Sequence, residues 1–424
     1  MNTARDDQTT AFVNARVFLP DGTLAPRTVL VRGGLIDGVI DADSPLGAEI
    51  VTIDCAGRTI VPGLIDLHAH PSAHARLDKD RAVDQTIYSV RHALRLLRAG
   101  VTTIRALGGA GRADRVLDEL GRQGLIAAPR IVSAGHFLCI TGGHASGNGI
   151  EVDGADALRK AVRAEVRDGH RWVKLMCSGG FDHAEESPSA MQFSPAEVRA
   201  ACEEAEALGV RVAAHAHGSA PIIMASEAGV DSIEHGSFVD RDAARAMRDN
   251  DVFLVPTFSI YDNVAARVSH PTKEQSAALA EPKRRSLEVA IEEGVAWGLG
   301  SDAQGGSPLE LLLDEIIILV EKIGLSPADA IAKASRGNAE LLGLDGVGSI
   351  ERGYVADLVV IDGDPLADIQ NIARVVGTVS TGRYYDWEAI APSLNLWTLE
   401  TLDVPDAPDG RRTPSRLWDL HITP

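Results

Sequence analysis

Long apolar runs are missing from this sequence: no window approaches the roughly 18 uninterrupted apolar residues of a bilayer-spanning helix, so no membrane partner is expected. The opening stretch, Met1 to Thr10, lacks the basic and apolar regions of a secretory leader. Cysteine is scarce. Cys55, Cys139, Cys177 and Cys202 are widely scattered with no CxxC pair, which reads as small core residues in a reducing compartment rather than as disulfides. The cytoplasm is the expected location. Basic charge is also short: 41 Lys and Arg face 60 Asp and Glu, for a net charge of −19. Clustered cations that would neutralise phosphates are not there, so nucleic acid is not an expected partner.

What is present is ordinary globular material, 45% apolar and 24% charged, with 41 glycines that suggest many tight turns. Three regions emerge. Residues 11–61 carry short apolar runs broken by turn signals, at 11–18, 29–32, 35–40 and 50–54, which suggests an antiparallel β unit. From 63 to 343 the pattern is apolar strand, loop, amphipathic helix, repeated. Candidate strands at 63–70, 101–107, 131–135, 172–176, 212–216, 232–236, 253–257 and 296–302 make the eight of a closed (β/α)8 barrel. Ser194-Pro195-Ala196-Glu197 and Ser326-Pro327-Ala328-Asp329 read as helix starts, each with an N-cap serine and a proline at the first helical position. After 344 the chain turns β-like again. Residues 1–62 and 344–424 are therefore expected to join in one composite β-sandwich that the barrel interrupts, with an extended tail from about 386.

His68-Ala-His70 ends the first barrel strand. Residues two apart on a strand share a face, so both imidazoles can point into the barrel mouth, where catalytic groups of this architecture collect. His215 ends the fifth candidate strand, His235 the sixth and Asp302 the eighth. Imidazole and carboxylate at one edge of a barrel are the ligands of zinc and similar divalent ions. Lys174, amid the apolar fourth strand, is costly if charged and unpaired. Either it pairs with a buried carboxylate, or its depressed pKa exposes a neutral amine that carbon dioxide converts to a metal-bridging carbamate. Arg105 reads best as an ion pair between strands, and His170 as a surface residue.

His68-X-His70, Lys174, His215, His235 and Asp302, in that order, resemble the binuclear branch of the amidohydrolase superfamily, as do Val61-Pro-Gly-Leu-Ile-Asp-Leu-His-Ala-His70 and Ser232-Ile-Glu-His-Gly236. More narrowly, the sequence is similar to prolidase-like and carboxypeptidase-like members, ochratoxin-hydrolysing enzymes among them. One departure is Ala106, where relatives often carry an aspartate. The resemblance implies two divalent metal ions, with zinc the default. His68, His70 and Asp302 would hold one, His215 and His235 the other, and carbamylated Lys174 both. A metal-bridging hydroxide would be the nucleophile and Asp302 the general base, then acid. His144 and His217 are similar to substrate-contacting residues, His144 at the reacting carbonyl or a carboxylate, and Tyr261 is a candidate carboxylate contact. The expected substrate is a dipeptide, an N-acyl amino acid or an ochratoxin-like aryl amide, and the resemblance also implies a homo-oligomer. The alternatives are a mononuclear imidazolonepropionase-like hydrolase or deaminase, a lactonase, and a non-enzymatic scaffold.

Overall fold

The computed structural model describes residues 8–74, 82–109, 112–181, 186–260, 273–305 and 311–390. The chain opens with β1 (Thr10–Phe18), β2 (Leu24–Arg32), β3 (Leu35–Asp41), β4 (Val51–Asp54) and β5 (Thr59–Pro62). Next come β6 (Leu64–His74), β7 (Val101–Ala106), β8 (Arg130–Ser133), β9 (Phe137–Cys139), β10 (Ile150–Glu151), β11 (Trp172–Met176), β12 (Arg211–Ala216), β13 (Ser232–His235), β14 (Phe253–Val255) and β15 (Ala303–Gly305), most of them separated by helices. The last are β16 (Leu358–Ile361), β17 (Val375–Ser380) and β18 (Arg383–Asp386).

Residues 10–62 and 358–386 build one eight-stranded sheet in the order β18-β17-β16-β5-β1-β2-β3, with β4 beside β1, and the expected tail beyond 390 lies outside the described residues. The expectation of an antiparallel unit fails at β4 and β5, which run parallel to β1. The sheet curls over its own core. β1 and β18 are four places apart in the order, yet the rings of Phe12 and Tyr384 meet with centroids 5.5 Å apart. At about 4.8 Å per strand a flat sheet would hold them far out of reach.

Strands β6, β7 and β8 form one parallel run and β11 to β14 another. Two seams join them. Arg171 N donates to Ser133 O across one, at 3.0 Å. Residues 296–302 fill the other: Gly298 N donates to Leu254 O, Leu67 N to Leu299 O, and Asp302 N to His68 O. This segment was expected to be the eighth strand. It carries hydrogen bonds to both neighbours but only an isolated bridge, Leu254–Trp297. Its backbone runs very close to β6, because a Cβ at Gly300 would stand 2.7 Å from His68 Cβ. Only glycine permits that approach.

The barrel interior is packed. Ile65, Trp172, Ala213 and Phe253 come from four different strands and belong to one buried cluster. Outside, helix Pro195–Ala207 begins with the expected capping box: Glu197 N donates to Ser194 Oγ and Ser194 N to Glu197 Oε2. Ser326 likewise accepts from Asp329 N. All four cysteines are buried free thiols. Among the described residues no helix is long and apolar enough to cross a membrane.

Candidate metal centre

Nitrogen and oxygen donors converge from within β6, where His68 and His70 lie four residues or more before its end, from the end of β13 at His235, and from Asp302 just before β15. His68 Nε2 lies 3.1 Å from His70 Nε2, and Asp302 Oδ1 lies 3.4 Å and 3.1 Å from the same two nitrogens. Each of His68, His235 and Asp302 offers one ligand atom within 4.8 Å of the other two. The ring of His215 stands 4.7 Å from that of His235, centroid to centroid. Local backbone explains the convergence. β6 breaks register with β7 between Asp66 and Ala69, and such irregularities re-aim side chains. His235 and Asp302 take φ of +72° and +55°, which turns each out of strand alternation, as does Thr257 at +50°. Left-handed non-glycine residues cost about 1–3 kcal/mol each and gather at functional sites.

The far nitrogen of His68, of His70 and of His235 is held, whereas His215 turns its Nε2 toward Gly179 O at 3.4 Å. His68 Nδ1 bonds Glu234 Oε2 at 2.8 Å, His70 Nδ1 donates to Gly108 O at 2.9 Å, and His235 Nδ1 meets Thr257 Oγ1 at 2.8 Å. Bonds of this kind set the tautomer, so that Nε2 offers its lone pair inward. Burial first, then neighbouring imidazoles, lowers His215 and His235 well below the usual range. Burial also lowers His68, to about 4. Neutral imidazole is the form that binds a cation.

Lys174 sits in β11 and is 1% exposed. Its Nζ has no hydrogen-bond partner among the described residues. Burial pushes the ammonium down to about 8, against the pull of Glu234 and Asp302. An orphaned amine among imidazoles is costly as a charge. Together with the oxygen and nitrogen donors around it, it fits a site that gathers cations.

The carboxylate Glu234 was not foreseen. It is fully buried, accepts from Arg105 Nη2 at 2.8 Å and from Ser232 Oγ, and orients His68. Burial alone would raise its carboxyl, but the Arg105 guanidinium and His68 outweigh that and hold it at about 2. Arg105 crosses the barrel interior from β7 to β13, stacks on Trp172 and donates to Leu67 O, as the inter-strand pairing anticipates. Arg105→Ala would leave Glu234 charged and uncompensated, an expected loss of about 3–5 kcal/mol. A shift in urea midpoint corresponding to under about 1 kcal/mol would refute that account.

His144 lies with its ring stacked on His215 at 4.3 Å, and His217 stacks on His235 at 5.0 Å while its Nδ1 bonds Ser237 Oγ. Tyr261 lies outside the described residues. His170, expected at the surface, is 1% exposed and bonded to Ser133 Oγ. The Gly169 turn before it, at φ +93°, carries it inward.

Residues 59–384 match the model of the Amidohydrolase family. Ochratoxinase of Aspergillus niger is 30% identical over 351 residues, covering 73% of this chain and 72% of the relative. A solved prolidase complexed with N-methylphosphonate-L-proline superposes with a TM-score of 0.79 at 32% identity, covering 89% of this chain and all of the other. Imidazolonepropionase of Klebsiella pneumoniae is 24% identical over 404 residues, covering 84% of this chain and 90% of the relative. With its barrel, its added β-domain and this extent of similarity, the chain belongs to the amidohydrolase family of hydrolases acting on C–N bonds.

Proposed function

We propose that this protein cleaves an amide whose leaving group is an amino acid, in a dipeptide, an N-acyl amino acid or an ochratoxin-like aryl amide. The observation that carries the reading is Lys174: a buried amine with no hydrogen-bond partner among the described residues, whose charge bears on His68, His215, His235 and Asp302 together. A single cation needs no bridging donor from that position. Neutral Lys174 adds to carbon dioxide through its nitrogen and releases a proton, and the resulting carbamate supplies two oxygens. His68, His70 and Asp302 would then hold one divalent ion, zinc by default, and His215 and His235 the second, with carbamylated Lys174 shared. The bound ions supply Lewis acidity and a water that deprotonates near neutrality.

The chain's own groups do the rest. Asp302 is held as carboxylate, accepts a proton and returns it to the leaving nitrogen. His144 contacts the carbonyl or the substrate carboxylate, His217 is a further substrate contact, and Tyr261 is the candidate partner of a carboxylate. The ligand named with the prolidase supports this class, since its tetrahedral phosphorus sits on a proline nitrogen where an acyl carbon would be. Metal per chain, native intact mass and turnover of Xaa-Pro dipeptides and N-acyl amino acids, on protein prepared with bicarbonate, form the test. Two metals, a carbon dioxide adduct and amide turnover are expected. One metal, an unmodified lysine and turnover of a cyclic imide alone would overturn the reading.

A further inference from the structure

Three contacts of His144 remain unexplained by any role at the metals. Its Nδ1 lies 2.9 Å from Glu186 Oε2. The same Glu186 oxygen accepts the Gly180 backbone N–H at 3.0 Å. A Cβ at Gly180 would stand 2.4 Å from His144 Cε1 and within 2.9 Å of both ring nitrogens, so a glycine is required where this backbone passes over the ring. The His144 backbone is also tied, with its N–H donated to Gln192 Oε1 at 3.0 Å. Gln192 N donates in turn to Cys177 O, just past the strand that bears Lys174. The loop after β11 thus grips the loop after β9 through one imidazole.

We propose that Glu186 is the positioning residue of His144: it fixes Nδ1 as the protonated nitrogen and thereby presents Nε2 to the substrate. An imidazole without such a partner exchanges tautomers and can flip about its Cβ–Cγ bond, which swaps nitrogen for carbon at both edges. A carboxylate on Nδ1–H prevents both, whatever charge the ring carries. Because Gly180 N–H shares the Glu186 oxygen, the ring's orientation is referenced to the backbone that follows Lys174. Glu186 is about one-sixth exposed (17%), and the His144 side chain 9%, so the pair sits at the wall of the mouth rather than in the core. The inference rests on the substrate-contacting role given to His144 above.

The test uses the metal-loaded full chain with Glu186→Ala and Glu186→Gln. Glu186→Ala is expected to lose about 10- to 100-fold in kcat/KM, the usual effect of removing an orienting partner, with metal per chain unchanged. Glu186→Gln, whose carbonyl oxygen still accepts from Nδ1–H, is expected to recover most of that loss. Nitrogen-15 spectra, with the His144 signal assigned from a His144→Gln variant, read the tautomer directly: it shifts in the alanine variant and stays in the glutamine variant. An unchanged His144 spectrum and wild-type kcat/KM in Glu186→Ala would overturn the inference. So would a loss of metal in step with activity. If even the parent enzyme turns over none of the amides, the proposed function fails, while the tautomer spectra still decide the role of Glu186.

Discussion

Lys174→Ala is expected to abolish turnover, by about 10³- to 10⁴-fold, because several kcal/mol of transition-state stabilisation depends on the ions its carbamate would share. Short carboxylic acids such as acetate or propionate carry the same donor into the vacated space and are expected to restore part of the activity. Lys174→Met separates function from stability. It keeps apolar volume where a lone ammonium is unfavourable, so activity should vanish while stability holds or rises by about 1 kcal/mol. The uncarboxylated lysine also has a pH signature. Its folded pKa near 8 lies below the ordinary 10.5, so between those values the unfolded chain binds the extra proton. Stability of bicarbonate-free protein should therefore rise as pH climbs through that window. Metal content, turnover and thermal midpoints measured on the same preparations check all three statements. A Lys174→Ala protein that retains two metals and a tenth of its activity would remove the lysine from the mechanism.

The barrel was legible because its strands alternate with helices whose starts carry their own caps, Ser194 above all. The segment 296–302 reads as a strand for its apolar residues and behaves as one in hydrogen bonding. Gly298 and Gly300, which allow it to press on β6, leave it without regular strand pairing. The parallel placement of β4 and β5 beside β1 was not legible. Nothing local distinguishes a strand that returns by a hairpin from one that returns by a longer path.

At the site, residue types at strand ends were enough to nominate His68, His70, His215, His235 and Asp302. Their orienting partners were not visible. Glu234 sits between Ile233 and His235 and looks like one polar member of an alternating strand. Its meaning comes from Arg105, 129 residues earlier, on the far side of the barrel interior. Glu186 lies in an acidic stretch with no periodicity, and only the folded loop brings it to His144. His235 and Asp302 would also point elsewhere under strict alternation. Their positive φ values are a property of the whole strand-end geometry and leave no mark in composition.

Asp302→Asn is the second substitution with a large expected effect, and the change is small in shape. Burial alone would raise the Asp302 carboxyl, but its contacts with His68, the hydrogen bond from His70 and the nearby Lys174 outweigh that and hold the group at about 2. Asp302 is therefore held toward the carboxylate form, able to accept a proton and poor at keeping one. That suits a group that relays the proton to a leaving amine. Asparagine removes the base and weakens the charge offered to a cation, yet tolerates the left-handed φ of +55° that this position imposes. The expected result is a fall in kcat of about 10²- to 10⁴-fold with the thermal midpoint little changed. Asp302→Ala should lose activity to a similar degree and also lose stability, because alanine pays for the left-handed backbone that asparagine accommodates. Activity in Asp302→Asn above a tenth of the parent, at full metal loading, would place the proton relay on another residue, and His144 would be the next to test.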